Sequence, residues 1–241
     1  MSTANAYMRV SGIGVDVIFK DIKNLHIGVY PPFGRVRVAA PERLTEEAIR
    51  LAIVQRLPWI KKQRDRLQNA ERQSAREMVS GESHYVWGSR LRLEIVERPG
   101  RANIEIGGSN MRLCVPPGAD AEKRRHVLDA WYRKQLKAAI LDLIKKWEPV
   151  VDKEVQGWTV RRMKTKWGSC NPNSGHISLN LELTKKHPSC LEYILVHEMA
   201  HLRERTHGER FTVLMGEYLP NWRALRDQLN QAPLAHEDWT W

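Results

Sequence analysis

The sequence predicts an α+β protein in two parts. An antiparallel β-rich N-terminal domain with a helical segment occupies residues 1–118, and a C-terminal domain over 119–241 sets a small antiparallel sheet beside a functional helix. Three observations predict this. Short runs of β-branched and aromatic residues, broken by Gly, Pro and Asn, crowd the first half. Stretches with apolar residues at helical spacing dominate the second. Between them Pro116-Pro117-Gly118 is the strongest break in the chain.

Residues 15–19, 25–29 and 36–38 read as strands. Leu25, Ile27 and Val29 alternate, which buries one face, and Pro31-Pro32-Phe33-Gly34 makes a turn. Thr45 before Glu46 and Glu47 is an N-cap signal for a helix to residue 57. Pro58 kinks or restarts that helix, and the charged stretch 59–78 continues as a solvated helix with a thin apolar stripe. Residues 85–96, 104–106 and 111–115 are strands, the last two joined through Gly107-Gly108-Ser109-Asn110. Residues 120–147 form one long amphipathic helix with Leu128, Trp131, Leu136, Ile140 and Trp147 on its apolar side. Residues 158–170 are β-like, with Val160, Arg162, Lys164 and Lys166 on one face. Those basic side chains could hold a phosphate backbone, but a half-solvated strand is the plainer reading. Residues 177–181 pair with this strand as a hairpin. The sequence shows no internal repeat.

The chemistry concentrates in His197-Glu198-Met199-Ala200-His201. On a helix, positions four apart share a face, so both imidazoles reach one metal ion, and Glu198 is placed to deprotonate a water there. This is the core of a zinc hydrolase, usually a peptidase. Pro188 and Ser189 start the helix, and Leu191, Leu195, Met199 and Leu202 form an apolar row opposite the imidazoles. Catalytic zinc usually takes three protein ligands and leaves a position for water. His207, just before the turn-forming Gly208, is the favoured third ligand, and Glu217 on the next helix (209–218) is the rival. His26, His84, His126, His176, His187 and His236 have no ligand-like spacing. Tyr193, His176 and Tyr218 are open candidates for stabilising an oxyanion.

Trp167-Gly168-Ser169-Cys170, Gly175-His176-Ile177-Ser178-Leu179-Asn180, the His-Glu helix, His207-Gly208-Glu209-Arg210-Phe211 and Pro220-Asn221-Trp222-Arg223 occur in that order. Together they resemble the YgjP-like metallopeptidases, a group similar to the SprT/Spartan zinc proteases. The resemblance implies a zincin-like C-terminal domain, Zn2+ held by His197, His201 and His207, Glu198 as general base, and a zinc metalloendopeptidase whose sheet edge accepts substrate as an added strand. His207-Gly208-Glu209 departs from the family's more frequent His-Ser continuation but keeps the imidazole.

Composition bounds the remainder. With 42% hydrophobic residues the chain folds rather than staying disordered. No apolar run reaches membrane-spanning length, and the start lacks the order of a signal peptide. Cys114, Cys170 and Cys190 are few and far apart, which suits reduced thiols in a cytoplasmic protein; Cys190 lies too far along the helix to share the ion. Thirty-nine Lys+Arg against 28 Asp+Glu give a net charge of +11, so besides a protein or peptide substrate the chain has the charge for a nucleic-acid partner. Two rival readings follow: a basic nucleic-acid-associated protein (a DNA-linked protease or a binding module with structural zinc), and a zinc hydrolase acting on a non-peptide bond.

Overall fold

The computed structural model of the chain describes residues 5–30, 34–69, 76–163 and 166–231. They fall into two compact units, described residues 5–69 belonging to one and described residues 76–231 to the other.

The first unit is built from β1 (Asn5–Val10), β2 (Ile13–Lys20), β3 (His26–Tyr30), β4 (Arg35–Pro41), α1 (Glu46–Gln55) and α2 (Leu57–Asn69). Ser11 (φ 48°) and Gly12 (φ 79°) turn β1 back onto β2. The sheet order is β1-β2-β4-β3. It is not purely antiparallel as expected: β3 folds back on β4, which slots β4 beside β2 in the same direction. Alternation sends Met8, Val15, Val17, Val36 and Val38 to one face, where they bury against Ile49, Ile53 and Ile60 of the helices. Thr45 caps α1 by accepting the Ala48 N–H at 3.3 Å. The predicted helix to residue 78 is corrected as well. Residues 76–79 carry no regular structure, because Met78 turns (φ 62°) to bury its side chain in the second core; residues 70–75 lie outside the described residues.

The second unit opens with β5 (Ser83–Val86), β6 (Ser89–Glu97), β7 (Asn103–Gly107) and β8 (Asn110–Val115). The predicted strand 85–96 is a hairpin instead, because Trp87 (φ 48°) and Gly88 (φ 84°) form a tight turn within it. The order β5-β6-β8-β7, with β6 and β8 parallel, repeats the topology of the first sheet without a sequence repeat to announce it.

The chain then enters α3 (Ala121–Val151), capped by Asp120, which accepts the Lys123 N–H at 2.8 Å. Next come β9 (Gly157–Arg161), β10 (Gly168–Asn171), β11 (His176–Asn180), a 3-10 turn (Leu181–Lys185), α4 (Pro188–Ala200), α5 (Glu209–Tyr218) and α6 (Trp222–Gln231). The expected division after residue 118 cuts through one core: Leu93, Met111 and Leu113 pack in the same cluster as Leu136, Ile140 and Leu195. The second unit therefore begins before β5.

The small sheet has the order β10-β11-β9, with β9 parallel to β11, so it too departs from the antiparallel expectation. The predicted strand 158–170 is two strands joined by a loop. Asn180 holds that loop: its amide N–H groups reach the carbonyls of Met163 and Lys166, both at 2.8 Å. Arg162 is drawn to Asp129 (2.8 Å) and Glu182 (3.3 Å), so the predicted basic strand face does not form, and Lys164 lies outside the described residues. Among the described residues no helix is long and apolar enough to cross a membrane. All three cysteines are free thiols.

Candidate active site

α4 starts with Pro188 at its first turn, and the His187 side chain accepts the Ser189 N–H at 3.3 Å. The helix is buried almost all round. Leu191, Leu195 and Met199 point into the core, and Tyr193, Val196 and Ala200 are buried too, so the amphipathic pattern expected for it is not realised. It packs against α3, α5, α6, β10 and β11, which fixes the direction of its side chains.

The i,i+4 spacing brings the His197 and His201 rings to 5.0 Å between centroids. After His201 the chain reverses through a tight turn, with Leu202 N–H on the Met199 carbonyl (2.9 Å) and Glu204 N–H on that of Ala200 (2.9 Å). Arg203 donates to the Val151 carbonyl at 3.1 Å, and Arg205 to Asn173 Oδ1 at 2.7 Å, fastening the loop to the end of α3 and to the β10–β11 turn. The reversal returns His207 over the helix. Its Nε2 lies 3.0 Å from Nε2 of His197 and 3.1 Å from Nε2 of His201.

Three imidazole nitrogens thus converge. Among the described residues, these are the side chains that gather as a group able to hold a metal ion. Glu217, the rival ligand, is exposed and stands outside the group.

The protonation state suits a cation. Burial pushes His197 down to about 4, helped by the neighbouring imidazoles, and burial likewise lowers His201. His201 Nδ1 lies 3.0 Å from the Glu204 carbonyl, which only accepts, so the hydrogen sits on Nδ1. A neutral ring then leaves its Nε2 lone pair facing the cluster. Short nitrogen–nitrogen contacts of this kind are met by one shared hydrogen or by a cation whose bonds to nitrogen run about 2.0–2.1 Å. His197 Nδ1 is buried with no hydrogen-bond partner among the described residues.

Phe211 forms the floor beneath all three rings. It stacks on His201 (4.6 Å between centroids, 27° between planes) and meets His197 and His207 edge-on at 4.9 Å. Glu198 points off the same helix toward β10. Its carboxylate lies against Gly168 and takes the backbone N–H of Cys170. Burial pushes it up to about 7, against the pull of the Lys166 charge and the Cys170 N–H. A carboxyl group near neutrality both accepts and returns a proton.

Phe211, Gly168, the Cys170 N–H and the Glu204 carbonyl were not assigned roles from the sequence. The first three lie in blocks that carry the family resemblance, but residue spacing gives no sign of what they touch. Of the oxyanion candidates, Tyr193 is buried with its ring 6.0 Å from that of His197. Tyr218 Oη is buried without a partner among the described residues, and His176 sits beside Thr159 at 3.3 Å.

A family profile described as "YgjP-like, metallopeptidase domain" matches residues 24–232. The chain belongs to the YgjP-like family. This YgjP-like chain is thereby a metallopeptidase with a metal cofactor, and its convergent imidazoles lie inside the matched region. Among solved structures it is similar to the metallopeptidase zymogen of Pyrococcus abyssi abylysin, at 21% identity and a TM-score of 0.35 over 37% of this chain and 90% of that one. No curated protein matches.

Proposed function

We propose that the chain is a zinc-dependent endopeptidase in which His197, His201 and His207 hold the metal and Glu198 is the general base. The convergence of the three Nε2 atoms at 3.0 and 3.1 Å carries this reading. A bound zinc ion supplies Lewis acidity for the scissile carbonyl and lowers the pKa of an attacking water to about 7.

The protein's own groups do the rest. Glu198 takes the proton from the water and returns it to the leaving amine, a two-way role that suits a carboxyl raised to about 7. The Cys170 N–H and the flank of Gly168 keep that carboxylate aimed. Substrate pairs with β10. The Trp167 carbonyl accepts the Asn180 N–H (2.9 Å), so odd-numbered residues face β11 and the main chain of Gly168 and Cys170 faces outward. With the Cys170 N–H engaged by Glu198, the Gly168 groups and the Cys170 carbonyl offer main-chain hydrogen bonds to an added strand.

The test is Glu198→Gln in the metal-loaded protein, assayed on an unfolded protein such as casein and on small amide and ester reporters. Metal content is expected to persist while peptide hydrolysis disappears. Unimpaired proteolysis by the variant would remove Glu198 from the reaction, and wild-type turnover of esters alone would point to a non-peptide hydrolase.

A further inference from the structure

The first unit carries a surface that peptide hydrolysis does not use: the face of its sheet opposite α1 and α2. Because Val15, Val17, Val36 and Val38 point into the core, the register puts Tyr7, Asp16, Arg37 and Gly28 in one outward row. The adjoining pairs Arg9–Gly14 and Tyr30–Arg35 also face out. Two glycines on this face make room for two aromatic rings. A Cβ added at Gly14 would collide with the Tyr7 hydroxyl, and one at Gly28 would stand 2.6 Å from the Tyr30 ring edge and 2.8 Å from Cζ. Each phenol therefore lies along the sheet rather than standing off it. Tyr7 is nevertheless 71% exposed, so its other side is open to solvent.

Among the described residues, charge on the same face is mostly basic. Arg9, Lys20, Arg35 and Arg37 project outward, with His26 beside them, against the carboxylate of Asp16, which Arg35 engages at 2.6 Å. The ring over β2 and the ring over β3 are separated by β4, a gap of about 9–10 Å across two strand spacings, and β4 fills it with Arg35 and Arg37.

We propose that this face binds single-stranded RNA. The exposed Tyr7 ring and the half-buried Tyr30 ring suit unstacked bases, which a duplex does not present, and the arginines between and beside them suit the phosphates linking those bases. A neutral sugar would leave the arginines without a charge to meet, and an acidic chain without bases, represented by polyglutamate, is set against the RNA in the test. Asp16 adds an acceptor for the ribose 2′-hydroxyl, a donor that DNA lacks. The assignment is independent of the metallopeptidase chemistry, so either can fail while the other stands.

The experiment is fluorescence anisotropy of the full chain with a labelled oligouridine about 12 nucleotides long, within the ~4–16-nucleotide footprints of such surfaces. The matched oligothymidine, an RNA duplex and polyglutamate serve as comparisons. Oligouridine is expected to bind most tightly, with an affinity that falls with salt. Tyr7→Ala, at an exposed position, weakens it about tenfold or more, Tyr7→Phe stays within about twofold, and Arg9→Ala lowers the salt slope by about one. Thermal melting of each variant confirms the fold. Absence of binding, unchanged binding by folded Tyr7→Ala, or equal or tighter binding of any comparison ligand overturns the proposal.

Discussion

A Cβ placed on Gly168 would lie 2.6 Å from Oε1 of Glu198 and 2.8 Å from its Cγ. The strand that borders the site and the acid on the helix are therefore fitted to each other with no space to spare. Gly168→Ala is expected to push the carboxylate off the Cys170 N–H without touching the imidazoles. Peptidase turnover should fall at least tenfold or so, with stability lowered by about 1–3 kcal/mol and metal content unchanged. Measured turnover and metal content together decide it: full activity would mean that Glu198 works equally well displaced.

The third imidazole separates two readings of the metal site. His207→Ala should lose far more metal affinity than the ~10–100-fold that removal of an outer partner costs, whereas Glu217→Ala, altering an exposed side chain, should retain the metal. Competition with a chromogenic chelator measures both. Retention by His207→Ala alongside loss in Glu217→Ala would reverse the ligand assignment.

Phe211 supports the cluster from below. Phe211→Leu keeps an apolar side chain but removes ring contacts worth about 0.5–1.5 kcal/mol. Metal affinity should fall by about two- to tenfold, and the expected readout is faster metal release to chelator at unchanged secondary structure by circular dichroism. Release at the wild-type rate would show that the helix and loop backbones alone align the imidazoles.

Lys186 gives a pH test remote from the metal ligands. Burial pushes its amine down to about 8, against the pull of Glu182, and Nζ lies 5.7 Å from the centre of the Trp167 ring. In the unfolded chain the amine protonates near 10.4. Between those values the unfolded state takes up the proton and the folded state does not, so folding loses stability as pH falls from about 10 to 8. Lys186→Met should thus be more stable relative to wild type at pH 7 than at pH 10, by about 2 kcal/mol. Denaturant midpoints at the two pH values check this, and a difference that does not change with pH would refute it.

The functional helix and α5 were legible because their signals are local: His197 and His201 at i,i+4, Pro188 at the start, Gly208 before Glu209. Three mixed sheets were not. Alternation reports which face is buried and says nothing of whether β4 lies beside β2 or beyond β3. Trp87 in a left-handed turn hid a hairpin, since turn chemistry favours Gly, Asn or Asp there. The boundary at Pro116-Pro117-Gly118 was a true break in local structure, yet Met111 and Leu113 on one side share a core with Leu136 and Ile140 on the other. The helical periodicity of α4 was visible, but burial on every side depends on the neighbours that cover it.

Two arginines anchor the loop that brings His207 home, Arg203 to the last turn of α3 and Arg205 to the bend between β10 and β11. Those anchors lie 52 and 32 positions away along the chain. The grip on the ion consequently gauges the soundness of distant parts of the unit. Fraying at either anchor would loosen the cation before the helix itself unwound, making its escape an early sign of local opening.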